Sequence, residues 1–251
     1  MRLKCIGCEV LARPLYHAAV DSPHVVDIEL LDKGLHNISS NLHTQLQSRI
    51  DALEAGSYDF ILLAYGLCGL SLNGVKSAKI PLVVPKAHDC ITLFLGSRDR
   101  YMEEFRNTPG TFWYTIDYLE RNNHGSDPIS MGVSYSMDLE KMYAQYIKKY
   151  GKEKADFLME TMSQWQTHYS RAAYIDIGMV DGTTIENLAK EEAVNKGWRF
   201  ERLPGDLSII QKLLHGKWDD DFVVIQPGNH ISFAYNEDII ESVKNQSDPR
   251  K

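Results

Sequence analysis

Two short apolar runs limit the folds open to this chain more than any other feature. Phe60-Ile61-Leu62-Leu63-Ala64 and Ile80-Pro81-Leu82-Val83-Val84 lie close together in the sequence. Each has the length and continuous apolarity of a parallel strand buried on both faces. Each gives way to a polar, sulfur-bearing turn: Tyr65-Gly66-Leu67-Cys68-Gly69 after the first, Lys86-Ala87-His88-Asp89-Cys90 after the second. Open α/β sheets bind ligands beyond the carboxyl ends of their strands. Two thiols and an imidazole at two such ends therefore mark a candidate site.

The flanking sequence continues the rhythm. Arg2 to Leu11 reads as a strand with Cys8 near its end, and Arg13-Pro14 opens a helix to about Val20, with Pro where its missing N–H costs nothing. Val25 to Leu31 reads as a second strand, ending at Asp32-Lys33-Gly34-Leu35-His36. Leu42, Leu46, Ile50 and Leu53 keep helical spacing, and Gly56 stops that helix. After Thr108-Pro109-Gly110, the aromatic run Thr111 to Tyr118 reads as a strand or pocket wall. Residues 122–136 read as a loop, followed by one helix from Asp138 through Tyr150 and another after Gly151 carrying Trp165. The last third repeats the first: a strand at Ala172–Ile177, a helix from Thr184, a strand at Trp198–Leu203, a helix at Leu207–Leu214 and a strand at Asp221–Ile225.

The expected fold is α/β, with two similar Rossmann-like lobes of parallel sheet. Residues 1–110 form the lobe with the Cys/His cluster, 111–170 an aromatic strand, loop and helical connector, and 171–245 the second lobe. The site is expected in the cleft at the carboxyl strand ends. His230, following Asp221–Ile225, is the second lobe's counterpart to Cys68.

Bulk properties exclude several functions. A net charge of −7 argues against nucleic-acid binding, which needs a basic face. No apolar run approaches the roughly 20 residues that span a bilayer, and the N-terminal residues lack the apolar core of a signal peptide. A cytoplasmic location follows. The four cysteines, Cys5, Cys8, Cys68 and Cys90, then read as metal ligands, catalytic thiols or buried apolar residues rather than disulfides. Cys5 and Cys8 are three apart on a strand and point to opposite faces, so Cys8 is expected at the site and Cys5 in the core.

In a doubly wound sheet, strands one, three and four lie side by side, and Cys8, Cys68 and Cys90 converge at their ends. Three thiolates with His88 as ligand or close support suit Zn²⁺ with an open position. Three thiolates alone equally suit a [4Fe–4S] cluster with one exposed iron. Without metal, Cys68 or Cys90 is a candidate nucleophile with His88 as its base. Arg98 and Arg100 are placed to hold an anionic group of a small-molecule substrate. Tyr65 and His230 join His88 as candidate catalytic groups, and Tyr114 and His36 as substrate-binding ones. There is no P-loop, no G-x-S-x-G and no H-E-x-x-H.

The run YGLCG, then PxxHDC, LGSRDRY and PGTFWYT, with CEVL at Cys8–Leu11 and the Lys33–His36 turn, resembles a family of bacterial and archaeal proteins known as domain of unknown function 1638. The resemblance covers nearly the whole chain. It implies an association with corrinoid-dependent methyltransferase systems, hence a corrinoid protein as partner and methyl-group or one-carbon metabolism as setting. Zinc enzymes that move a methyl group from a corrinoid to a thiol use a His-x-Cys pair and one further Cys. His88 and Cys90 match the pair. In those enzymes the lone Cys follows the pair, whereas Cys8 and Cys68 precede it. A non-catalytic carrier of a corrinoid, metal or small ligand is the remaining reading.

Overall fold

A computed structural model describes residues 1–37, 39–121, 143, 147–148, 151–156, 169–234 and 238–244. The chain divides into two units, Met1–Tyr101 with Asp206–Lys251, and Met102–Gly205. This differs from the expected boundaries at 110 and 171.

The first unit is built on five strands: β1 (Arg2–Cys8), β2 (Val25–Leu31), β3 (Phe60–Ala64), β4 (Leu82–Pro85) and β8 (Phe222–Ile225), in the order β2-β1-β3-β4-β8. β1 pairs in parallel with β2 and β3, and β3 pairs in parallel with β4. Thus β1, β3 and β4 are adjacent, as the site requires. Leu3, Cys5 and Ile6 of β1 and Ile61, Leu62 and Leu63 of β3 are fully buried, which accounts for the continuous apolarity of these runs. Helix α1 (Ala12–Val20) connects β1 to β2, and α2 (Ser39–Asp51) connects β2 to β3. Leu42, Leu46 and Ile50 form the buried face of α2, at the spacing the sequence shows.

The strand at Phe222–Ile225 requires a correction. It does not extend a second parallel lobe. It pairs antiparallel with β4, Val83 opposite Val224, and closes that edge of the first sheet. The cause is helix α7 (Ser208–Leu214). Its buried Ile209, Ile210, Leu213 and Leu214 pack toward α1, β3 and β4, delivering the chain beside β4. An apolar run specifies a strand but not its partner. The chain then forms the antiparallel hairpin β9 (Asn229–Phe233) and β10 (Ile240–Lys244). His230 lies within β9, bridged to Lys76, and not at the end of a parallel strand.

The second unit holds β5 (Thr111–Tyr114), β6 (Arg171–Asp176) and β7 (Arg199–Pro204), all parallel, in the order β5-β6-β7. The aromatic run at 111–114 is therefore an edge strand of this sheet, followed by helix α5 (Ile116–Glu120), rather than part of a connector. Helix α6 (Thr183–Lys196) contributes Ala189 and Ala193 to a core with Phe112, Tyr114, Ala172 and Tyr174. Arg171 is buried at the start of β6 and is neutralised by Glu104 at 2.6 Å and Glu201 at 3.0 Å. The helices expected over 138–165 fall largely outside the described residues, and 152–156 is helical. Among the described residues no helix is long and apolar enough to cross a membrane.

Candidate functional site

The connections of the first sheet reverse direction at β1: the chain leaves β1 to one side for β2 and crosses to the other for β3 and β4. Between β1 and β3 neither connection covers the carboxyl ends, and ligands bind at such a point. Cys8 is the last residue of β1, and Tyr65 follows the last residue of β3.

The loops after β3 and β4 are joined to each other. Leu67 N–H donates to Ala87 O at 2.8 Å, and Cys68 N–H donates to His88 O at 3.0 Å. Gly66 makes this approach possible, because a Cβ there would stand 2.5 Å from the backbone N and Cα of Asp89. The loop then turns through Cys68, Gly69 and Leu70, all with positive φ, at 44°, 64° and 69°. Two non-glycine residues in that region represent stored strain, which concentrates at functional sites.

After β4, Asp89 caps helix α3 (Cys90–Leu95), accepting from the N–H groups of Ile91 at 3.0 Å and Thr92 at 3.3 Å. Cys90 is therefore the first residue of a helix rather than part of an extended turn. The second Asp89 oxygen accepts from the Tyr101 hydroxyl at 3.2 Å. Tyr101 belongs to α4 (Arg98–Asn107), and its ring lies 5.5 Å from that of His88. Burial raises the Asp89 carboxyl above its usual range, while the α3 N–H groups and Tyr101 lower it.

All four cysteines are free, and their surroundings differ. Cys5 is wholly buried in mid-strand, and burial pushes its thiol up to about 12. Cys8 is also pushed up to about 12 by burial, but the Val10 N–H and, more weakly, Lys33 act to lower it. Cys68 is raised by burial, then by Asp89 and Cys8, and lowered by the Gly66 N–H. Cys90 is raised well above its ordinary value by burial, then by Asp89, Cys68 and Cys8, and lowered by its own N–H. Cys8 and Cys68 both act to raise Cys90, and Cys8 acts to raise Cys68. At neutral pH all of them are protonated thiols, poor nucleophiles without a cation.

Tyr65 is 3% exposed. Its hydroxyl is buried and has no hydrogen-bond partner among the described residues. Burial raises it well above its ordinary value, and Cys8 and Cys68 add to the rise. His88 is half-buried, and burial lowers its pKa, keeping the imidazole neutral as a metal ligand must be.

Residues 30–214 match the family described as protein of unknown function (DUF1638). The chain belongs to that family. The matched stretch holds Tyr65, Cys68, His88, Asp89 and Cys90 and leaves out Cys8. Searches of curated proteins and of solved structures find no match.

The other residues expected at the site have different surroundings. Arg98 is 3.5 Å from Asp221, and its guanidinium also reaches Asp220 O at 3.5 Å. Arg100 donates to Leu95 O at 3.4 Å. Tyr114 is a core residue of the second unit and donates its hydroxyl to Glu192 at 3.0 Å. His36 sits in the 3-10 turn Lys33–Asn37 after β2, where burial and then Lys33 lower its pKa.

Sequence reading missed Asp89, Tyr101 and Lys33. Asp89 was detectable, since Asp immediately before an apolar run of helical length is an N-cap signature. Lys33 is buried, with its N–H donated to Glu9 at 3.0 Å, and nothing local to a K-G pair marks it.

The donor types suit a soft cation: three thiols, one neutral imidazole and a buried hydroxyl lacking a partner among the described residues. As protonated side chains they do not stand ready. Among the described residues no three His, Cys, Asp or Glu are arranged to hold a metal ion.

Proposed function

We propose that this protein is a zinc-dependent enzyme or accessory protein of methyl-group metabolism, in which Cys8, Cys68 and Cys90, with His88, hold the ion. One observation carries the reading: three thiols stand at or just beyond the carboxyl ends of three adjacent parallel strands, Cys8 ending β1, Cys68 in the loop after β3 and Cys90 opening helix α3 after β4, while Cys5 lies in mid-strand. Zinc there would lower the pKa of a substrate thiol or water and so supply a nucleophile at neutral pH. The chain's own residues hold the site in shape. Asp89 ties the His88–Cys90 turn to α3 and Tyr101, and Gly66 lets the two loops touch. The substrate is a small molecule, the macromolecular partner a corrinoid protein, and the setting the cytoplasm, whose reducing conditions suit four free cysteines. The corrinoid and methyl-group assignments rest on the family resemblance and the His88-x-Cys90 pair.

A [4Fe–4S] cluster is the second reading, favoured by three sulfur donors at one point. A carrier that holds metal or corrinoid without turnover is the third. Elemental analysis and a visible spectrum of anaerobically purified protein separate them. About one equivalent of zinc without colour supports the proposal. About four irons with absorbance near 400 nm move it to the cluster. Cys8→Ser, Cys68→Ser and Cys90→Ser are each expected to lose the metal, and Cys5→Ser to keep it. No metal in the unaltered protein sinks both metal readings.

A further inference from the structure

Two polar side chains are buried on either flank of the strand where the first sheet reverses direction. β1 lies between β2 and β3, with Cys8 paired to Leu31 and Gly7 to Ala64. Tyr65 follows Ala64 and so stands level with the end of β1, while Lys33 comes two residues after Leu31 on the other flank. Both are more than nine-tenths buried, Tyr65 at 3% exposure and Lys33 at 7%. The Tyr65 hydroxyl has no hydrogen-bond partner among the described residues. A buried donor without an acceptor is costly and uncommon. This one stands at the crevice where open α/β sheets take their ligands, and Lys33 brings a positive charge to the same end.

The acids at these strand ends are already engaged. Glu9 accepts the Lys33 N–H at 3.0 Å, Asp32 accepts the Gly34 N–H at 2.7 Å, and Asp89 accepts from the α3 N–H groups and the Tyr101 hydroxyl. The α4 arginines are engaged as well, Arg98 by Asp221 and Arg100 by Leu95 O. We infer that Tyr65 and Lys33 hold the carboxylate of a small-molecule substrate, the Tyr65 O–H donating to one oxygen and the Lys33 ammonium meeting the other. The inference rests on the small-molecule site proposed above and needs none of its metal. A carboxylate suits these ends better than a phosphate does. Phosphate sites in such sheets use the N–H groups of a glycine-rich turn that opens a helix after the first strand. Here β1 runs into the 3-10 turn Glu9–Leu11, whose Glu9 carboxylate repels a dianion. The Tyr65 oxygen has almost no accessible surface, so the loop after β3 shifts to admit the ligand. That loop holds Cys68 and Leu70 at positive φ, strain that such a shift releases.

The test uses acetate labelled with ¹³C at its carboxylate, whose NMR line broadens when it binds. Protein stripped of metal is titrated in three forms: unaltered, Tyr65→Phe and Lys33→Met. The unaltered protein is expected to broaden the line, and each variant to bind about 10-fold more weakly, the loss of one hydrogen bond to a charged group. Tyr65→Phe removes only an oxygen without a partner in the ligand-free fold, so it is expected to fold and to unfold at a higher temperature than the unaltered protein. A lower unfolding temperature means that the fold itself satisfies the hydroxyl, and overturns the inference. Equal acetate binding by Tyr65→Phe overturns it too, whether or not Lys33→Met folds. Broadening that appears only after Zn²⁺ is restored assigns the anion to the metal, so the inference falls while the metal reading stands. Broadening of the ³¹P line of inorganic phosphate in place of the acetate line overturns the carboxylate assignment. No broadening of either line by the unaltered protein, stripped or zinc-loaded, overturns the inference and the small-molecule site beneath it.

Discussion

In the five-stranded sheet the chain leaves β1 for β2 on one side, then returns past β1 to lay down β3 and β4 on the other. In the three-stranded sheet it steps from β5 to β6 to β7 in one direction. Both sheets use parallel strands, yet only the first leaves a gap between adjacent strand ends. The chemistry at the ends follows this difference. Around β1, β3 and β4 stand neutral thiols, a partly buried Asp89 and the buried hydroxyl of Tyr65. At the end of β6, Asp176 accepts from Arg202 and from the Gly178 N–H, which hold its carboxyl below the usual range. Charges at the second sheet neutralise each other in solvent, while at the first Asp89 is held by the α3 N–H groups and Tyr101, and the buried Tyr65 hydroxyl has no partner among the described residues. Strain divides the same way. Among the described residues, the second unit places only glycines at positive φ, whereas the first places Cys68, Leu70 and Ile239 there.

The strongest way to break this comparison is a matched pair of glycine substitutions at strand ends. Gly66→Ala drives a Cβ to within 2.5 Å of Asp89 backbone atoms that cannot give way. It is expected to cost about 3 kcal/mol, at the upper end for overpacking. Gly178→Ala, after β6, meets nothing within 4 Å and bears only the strain of φ +69°, about 1 kcal/mol. Denaturant midpoints measure both. If Gly178→Ala costs as much as Gly66→Ala, the claim that the first unit's ends are the tighter construction fails.

A smaller effect concerns acid. Burial and then Lys33 lower the His36 pKa from 6.5 in the folded state. The unfolded chain therefore takes up the proton first as pH falls, and stability drops below about pH 6.5. His36→Gln is expected to flatten that decline in denaturation midpoints measured from about pH 7.5 down to pH 5.5. A steeper decline in the variant would reverse the sign assigned to His36.

The smallest effect sharpens the contrast in strain. Leu70 is exposed and holds φ 69°. Leu70→Gly removes the Cβ clash of that conformation and adds chain entropy to the unfolded state, for a net gain of about 0.5 kcal/mol. A loss of stability instead would mean that the Leu70 side chain contributes more than its backbone costs.

Much of the first sheet was legible because its cues are local. Continuous apolar runs marked β3 and β4, a Leu/Ile stripe marked α2, and polar turns marked the ends where Tyr65, Cys68 and His88 stand. The adjacency of β1, β3 and β4 followed from the doubly wound pattern. Opposite pointing of residues three apart on a strand separated Cys8 from Cys5 in the reading of the sequence, and both side chains are buried in the fold. Arg98 and His230 were harder to read. An Arg in a charged loop looks free until Asp221, far along the chain, is brought against it, and the position of His230 depended on which sheet received the strand before it.

By itself the sequence determined the first eight strands, several of the helices and the sulfur near three strand ends, because apolar period, glycine and proline act within a few residues of each other. Tertiary structure alone decided that Phe222–Ile225 closes the first sheet, that the aromatic run at 111–114 joins the second as an edge strand, and that the Tyr65 hydroxyl has no partner among the described residues. Partnership between strands and satisfaction of buried polar groups depend on what distant segments place nearby. No window of sequence contains that information.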